Sequence, residues 1–111
     1  MIEITDSTID EFISADKALV LLSASWCGHC AAAMENMRKF EADTGTPCGW
    51  IDVQRNRKTL MKYFGRGIPD FLLFKNGHVV KRARGTGDLM PRITTSQNNE
   101  SHTLHQLLKF I

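Results

Sequence analysis

The chain has no apolar stretch long enough to cross a membrane: its central run, Ala18–Leu22, falls far short of the roughly 20 residues a spanning helix needs. It opens on Met1-Ile2-Glu3-Ile4-Thr5-Asp6, with no basic patch ahead of an apolar segment. A secretory signal is therefore not expected, and a cytoplasmic protein is. Cysteine is scarce, three in 111 residues and unevenly spaced, which excludes a small secreted scaffold stapled by several disulfides. Internal repeats and low-complexity tracts are also missing. What is there is ordinary for a soluble globule: 42% of residues are apolar, too many for a disordered chain. The length is that of one domain, so residues 1–111 are read as a single unit. Its cysteines, if they matter, matter chemically.

Charge is balanced overall and unbalanced locally. Residues 1–53 carry three basic and nine acidic side chains, 3 − 9 = −6, whereas residues 54–92 carry ten basic and two acidic, 10 − 2 = +8. The plain reading is a solvated surface. The sharper one is a basic face that attracts an acidic protein, or less readily a nucleic acid.

The pattern of apolar residues predicts alternating strands and helices. Ile2–Thr5 alternates like a short edge strand. Thr8-Ile9-Asp10-Glu11 offers a capping box for a helix over about 8–15 that buries Ile9, Phe12 and Ile13. Ala18–Leu22 is apolar throughout, as in a central strand covered on both faces. A helix is expected from about Cys27 to Glu41, with Ala33, Met34, Met37 and Phe40 on one face and Gly45 and Pro47 beyond it. Gly49–Val53 reads as a strand, and Thr59–Phe64 as a short helix using Leu60, Met61 and Phe64. Phe71–Phe74 is a further strand. Asn76-Gly77 then signals a hairpin that returns over Val79–Arg84. Leu104, Leu107, Leu108 and Ile111 mark a closing amphipathic helix, after an irregular loop over about 85–101. The order β-α-β-α-β-α-β-β-α implies an α/β fold, a mixed sheet with helices on both faces.

The chemistry concentrates in Ser25-Trp26-Cys27-Gly28-His29-Cys30, after a buried strand and at the head of a helix. Two cysteines so spaced close a small disulfide ring. Amides and the helix dipole favour a thiolate on Cys27. Cys30, one turn inward, can then attack a mixed disulfide on Cys27 and release the reduced substrate. The ring gains little loop entropy, so it is easily reduced as well as formed. The rival reading is half a zinc site recruiting His29, Cys48, His78 or the His102/His105 pair. A structural zinc normally draws on a second, similarly spaced ligand pair, which this sequence lacks, so no metal is expected. Cys48 reads as a small buried hydrophobe, with a regulatory or dimerising thiol as the alternative.

From Ile2 to about Gly85 the chain resembles the thioredoxin family. The resemblance rests on Trp26-Cys27-Gly28-His29-Cys30, on Tyr63-Phe64-Gly65-Arg66-Gly67-Ile68-Pro69, on Phe71-Leu72-Leu73-Phe74-Lys75-Asn76-Gly77, and on Gly85. It implies the thioredoxin fold, with Pro69 as a cis-proline facing the disulfide. It also implies a substrate groove in which the Ile68 backbone pairs with an extended segment, lined by Trp26, Gly67 and Gly85. The implied activity is reduction of protein disulfides through Cys27 and Cys30. No cofactor is needed beyond that disulfide, and a monomer recharged by a thioredoxin reductase or the glutathione system is implied.

Several residues depart from the family pattern. Between the cysteines, Gly28 is followed by His29, where typical thioredoxins have proline and protein disulfide isomerases have histidine. An imidazole there stabilises the thiolate and makes a stronger oxidant. The family's buried acid falls at Leu21 and its companion lysine at Trp50, so Cys30 must lose its proton to water or another base. Glu35 replaces a helix-kinking proline, and Asp70 brings a negative charge close to the groove. Two alternatives follow: a more oxidising, glutaredoxin- or isomerase-like exchange, and a partner-binding clamp in which redox chemistry is incidental.

Overall fold

The computed structural model describes residues 1–65 and 67–85. Within them the elements run β1 (Ile2–Ile4), α1 (Ile9–Phe12), β2 (Lys17–Ser23), α2 (Cys30–Thr44), β3 (Cys48–Asp52), α3 (Arg57–Tyr63), β4 (Asp70–Lys75) and β5 (His78–Arg84). The strands form one sheet in the order β1-β3-β2-β4-β5. β1 and β2 both run parallel to β3, β4 is antiparallel to β2, and β5 is antiparallel to β4. This is the expected succession as far as Gly85. The loop expected beyond Gly85 and the closing helix over Leu104–Ile111 lie outside the described residues.

β2 is central, and the pleat explains its unbroken apolar run. Leu19 and Leu21 face the side covered by α2 and pack with Ala33, Met37, Phe40, Phe71 and Leu73. Val20 and Leu22 face the opposite side, with Ile9, Ile13, Leu72 and Phe74, and Leu60 and Tyr63 of α3 pack against that cluster. Every side chain from Ala18 to Leu22 is fully buried, each large one contributing roughly 1.5–3 kcal/mol of transfer free energy. Asn76 and Gly77 both take positive φ, 52° and 85°, which is the two-residue turn their sequence signals. The turn sets Lys75 opposite His78.

Helix boundaries depart from expectation for identifiable reasons. α1 is one turn rather than two. The Thr8 hydroxyl accepts from the Thr5 amide at 2.9 Å and caps nothing in α1, so the expected capping box does not form. α3 begins earlier than expected because Asp6, 52 residues before Lys58, caps it. Its carboxylate accepts from the Lys58 amide (3.1 Å), the Thr59 amide (2.9 Å) and the Thr59 hydroxyl (2.7 Å). Asn56 locks this arrangement, accepting from the Asp6 amide and donating to the Asp52 carbonyl, both at 2.8 Å. α2 runs unbroken through Glu35, which pairs with Arg38 on its exposed face, and ends where the Gly45 amide bonds the Glu41 carbonyl.

Candidate active site

The sheet brings the candidate residues together at one end. In the ladders, Ser23 at the end of β2 lies opposite Asp52 at the end of β3, and Leu22 lies opposite Asp70 at the start of β4. Asp70 in turn lies opposite Arg84 at the end of β5. The segments Ala24–His29, Val53–Asn56, Gly67–Pro69 and Gly85 therefore leave the sheet at the same edge. Ligands of α/β sheets collect outside strand ends of this kind.

Cys27 and Cys30 form a disulfide, with Cα atoms 5.4 Å apart. α2 starts at Cys30 rather than at Cys27, with His29 at the N-cap and no side-chain cap. Cys27 lies in the preceding turn, its amide bonded to the Ala24 carbonyl at 3.1 Å. The disulfide ties its sulfur to the first residue of a 15-residue helix, where amide donors and the dipole favour an anion. The two cysteines differ in access: Cys27 is half-buried and Cys30 only 4% exposed. Gly28 and His29 are exposed, and Trp26 is 65% exposed.

Across from this turn the Ile68–Pro69 peptide bond is cis. The Pro69 carbonyl accepts from the Gly85 amide at 2.9 Å; Gly85 has φ 103°, a conformation side chains strongly disfavour. Gly67 and Ile68 are half-buried. Asp70, expected as a charge close to the groove, directly follows the cis-proline, is buried and bonds the Arg82 guanidinium at 2.7 Å. Arg82 also donates to the Tyr63 carbonyl, so one cation braces both ends of the segment that carries Pro69.

A comparison with known families matches the Thioredoxin family to residues 1–98. The chain belongs to the thioredoxin family. It is 35% identical over 85 residues to a thioredoxin of Buchnera aphidicola subsp. Baizongia pistaciae, covering 72% of this chain and 77% of that one. A thioredoxin of Chlamydia pneumoniae is 31% identical over 86 residues, covering 77% and 84%. Among solved structures, a mutant thioredoxin from Halobacterium salinarum superposes with a TM-score of 0.73 at 27% identity, over 78% of this chain and 79% of that one. Malassezia sympodialis thioredoxin shares the fold, with a TM-score of 0.70 at 20% identity over 86% and 84%. The thioredoxin fold and activity expected from the residues therefore hold: the chain is a thiol–disulfide oxidoreductase with Cys27–Cys30 as its redox-active disulfide.

The remaining residues sort by environment. Cys48 is a free, buried thiol donating to the Thr46 carbonyl at 3.3 Å. Burial, reinforced by the Glu41 carboxylate, pushes it up to about 12, which disfavours its thiolate. Leu21 is fully buried opposite Trp50, which packs against the same cluster. Sequence reasoning counted Met61 and Phe64 among the apolar residues of the short helix and gave them no part in the site; they are 80% and 46% exposed. With Trp26, Val53, Leu60 and Ile68 they wall a cleft of about 650 Å³ beside the disulfide turn, and Gln54 adds a polar group. The signal was present in the helical spacing, since Met61 sits about 100° around α3 from Leu60.

Proposed function

We propose that the chain reduces disulfides of other proteins in the cytoplasm as a one-domain monomer, with Cys27 as nucleophile and Cys30 as resolving thiol. The observation that carries this reading is the unequal access of the two cysteines at the head of α2. The Cys27 thiolate attacks a substrate sulfur; a Cys27–substrate disulfide forms, the substrate disulfide breaks, and one thiolate leaves to take a proton from water. The Cys30 thiolate then attacks the Cys27 sulfur. The internal disulfide forms, the mixed one breaks, and the second substrate thiolate departs. Two electrons have passed to the substrate. A thioredoxin reductase using NADPH, or the glutathione pool, returns them. In this reading an extended substrate segment lies along the Ile68 backbone, with Trp26, Gly67, Pro69 and Gly85 lining its groove, while Gly28 and His29 tune the potential. The free thiol at Cys48 suits a reducing compartment.

Insulin reduction driven by NADPH and a thioredoxin reductase tests this directly. The parent chain should precipitate the insulin B chain, and Cys27→Ser should not. Cys30→Ser should accumulate a mixed disulfide on Cys27. Parent turnover equal to that of Cys27→Ser, or trapping on position 30 rather than 27, removes the assignment.

A further inference from the structure

We propose that Met61 and Phe64 form a specificity site that seats a bulky apolar side chain flanking the substrate cysteine, in segments whose neighbouring residues are acidic. The inference rests on the disulfide-reducing reading above and narrows its substrates. Its first support is continuity. The cleft shares Trp26 with the disulfide turn and Ile68 with the cis-proline turn, so a segment held at the sulfurs runs directly into it. Its second support is the cost of leaving these groups in water. Among the described residues, Trp26, Met61 and Phe64 are the most exposed large apolar side chains at this end of the sheet, and they meet in one concavity rather than being scattered. Such an unpartnered apolar concavity beside a reactive group suits an apolar ligand.

The charge around the cleft specifies the rest of the segment. α3 carries Arg57, Lys58 and Lys62 and no acidic residue, and Arg55 precedes it; all four are exposed. Helical spacing places Arg57 and Lys58 four and three residues before Met61, so both neighbour it on the surface. Two carboxylates face these four cations, Asp6 in the cap of α3 and Asp52 at 3.9 Å from Arg55, so the rim keeps an excess of positive charge. An acidic segment gains here by steering and by local complementarity. The basic half of the sequence thus finds a use at the active site.

The test uses reduced full-length protein and short peptides, each with one cysteine capped as a mixed disulfide with 5-thio-2-nitrobenzoate. The peptides carry Leu, Phe or Gly near the cysteine, flanked by Glu or by Lys. The readout is the ratio of second-order rate constants within each protein. The parent should prefer the Leu and Phe peptides over Gly by about tenfold, as expected for one side chain in an apolar pocket. Met61→Ser/Phe64→Ser should bring that ratio below about twofold, whereas Phe64→Leu, which keeps the wall apolar, should retain most of it. Both positions are exposed, so the variants should fold. The Glu peptides should outpace the Lys peptides, with the difference fading as salt is raised. A parent that treats apolar and Gly peptides alike, or a serine variant that keeps the ratio, overturns the assignment. So does a parent that self-associates through this face in sedimentation while the serine variant is monomeric and equally selective. A parent that reduces none of the peptides, nor a chainless disulfide such as bis(2-hydroxyethyl) disulfide, fails at the exchange reaction itself. Equal reduction of all of them removes the specificity site alone.

Discussion

Leu21 packs with Ala33, Met37 and Phe40, on the face of α2 that also buries Cys30. Its cross-strand neighbours are Trp50 and Phe71. Truncating such a side chain to alanine typically costs about 2–5 kcal/mol, so the position is committed to packing. The consequence is chemical as well. Among the described residues the buried carboxylate is Asp70, and Arg82 holds it; no acid stands at position 21 to receive the Cys30 proton. With water as the base in the proposed mechanism, resolution of a mixed disulfide should accelerate about tenfold per pH unit from pH 5.5 through neutrality. Stopped-flow decay of a Cys27-linked substrate measures this. A plateau or inflection below pH 7 in the parent would reveal an internal base, whereas Leu21→Asp should create one at the expense of stability. The lack of the acid was legible from one letter of sequence. The fate of Asp70 was not, because its partner lies twelve residues away on β5.

α3 shows how an element can owe its start to a distant residue. It has seven residues, no side-chain cap of its own, and basic rather than acidic residues in its first turn, all unfavourable at a helix N-terminus. Asp6 supplies the missing acceptor. Desolvation opposes its charge, but the hydrogen bonds from the Thr59 hydroxyl and the Thr59 and Lys58 amides outweigh that, holding the carboxyl below its ordinary 3.8. Since the folded value is the lower one, the stabilisation is complete above 3.8 and fades as pH falls through the folded value. Asp6→Ala should therefore lose about 1 kcal/mol at pH 7 by urea denaturation. The difference from the parent should shrink at pH 3. A gap as large at pH 3 as at pH 7 would show that the side chain acts through packing instead. Elements defined by their own residues, such as β2, β4 and the Asn76-Gly77 hairpin, were legible. α1 and α3 were misjudged at their ends, because Thr8 bonds backward to Thr5 and Asp6 bonds forward across half the chain.

For the molecule as a whole, sheet order turns the charge split of the sequence into a spatial one. β1, β3 and β2 come from the acidic half, and β4 and β5 from the basic half. The motif residues were legible because spacing along the chain carries them; helical spacing also separates Met61 from Leu60, whereas Phe64 stands exposed because α3 ends at Tyr63 and the chain turns extended there. Folding and redox chemistry also meet at this scale. The folded and unfolded chains, each oxidised or reduced, form a closed cycle, so any group that favours the reduced folded state raises the potential and narrows the stability gap between the redox forms equally. His29 sits at the N-cap of α2 between the cysteines but is exposed, so solvent screens its effect on a Cys27 thiolate. His29→Pro should then lower the potential by a moderate amount, about 30 mV against glutathione buffers, equivalent to about 1.4 kcal/mol. Denaturation of both redox forms should show the oxidised protein gaining the same amount over the reduced one. A shift in potential without the matching stability change would place the effect in the unfolded chain. An unchanged potential would mean that the imidazole at position 29 is electrostatically silent, leaving the helix terminus to poise the pair.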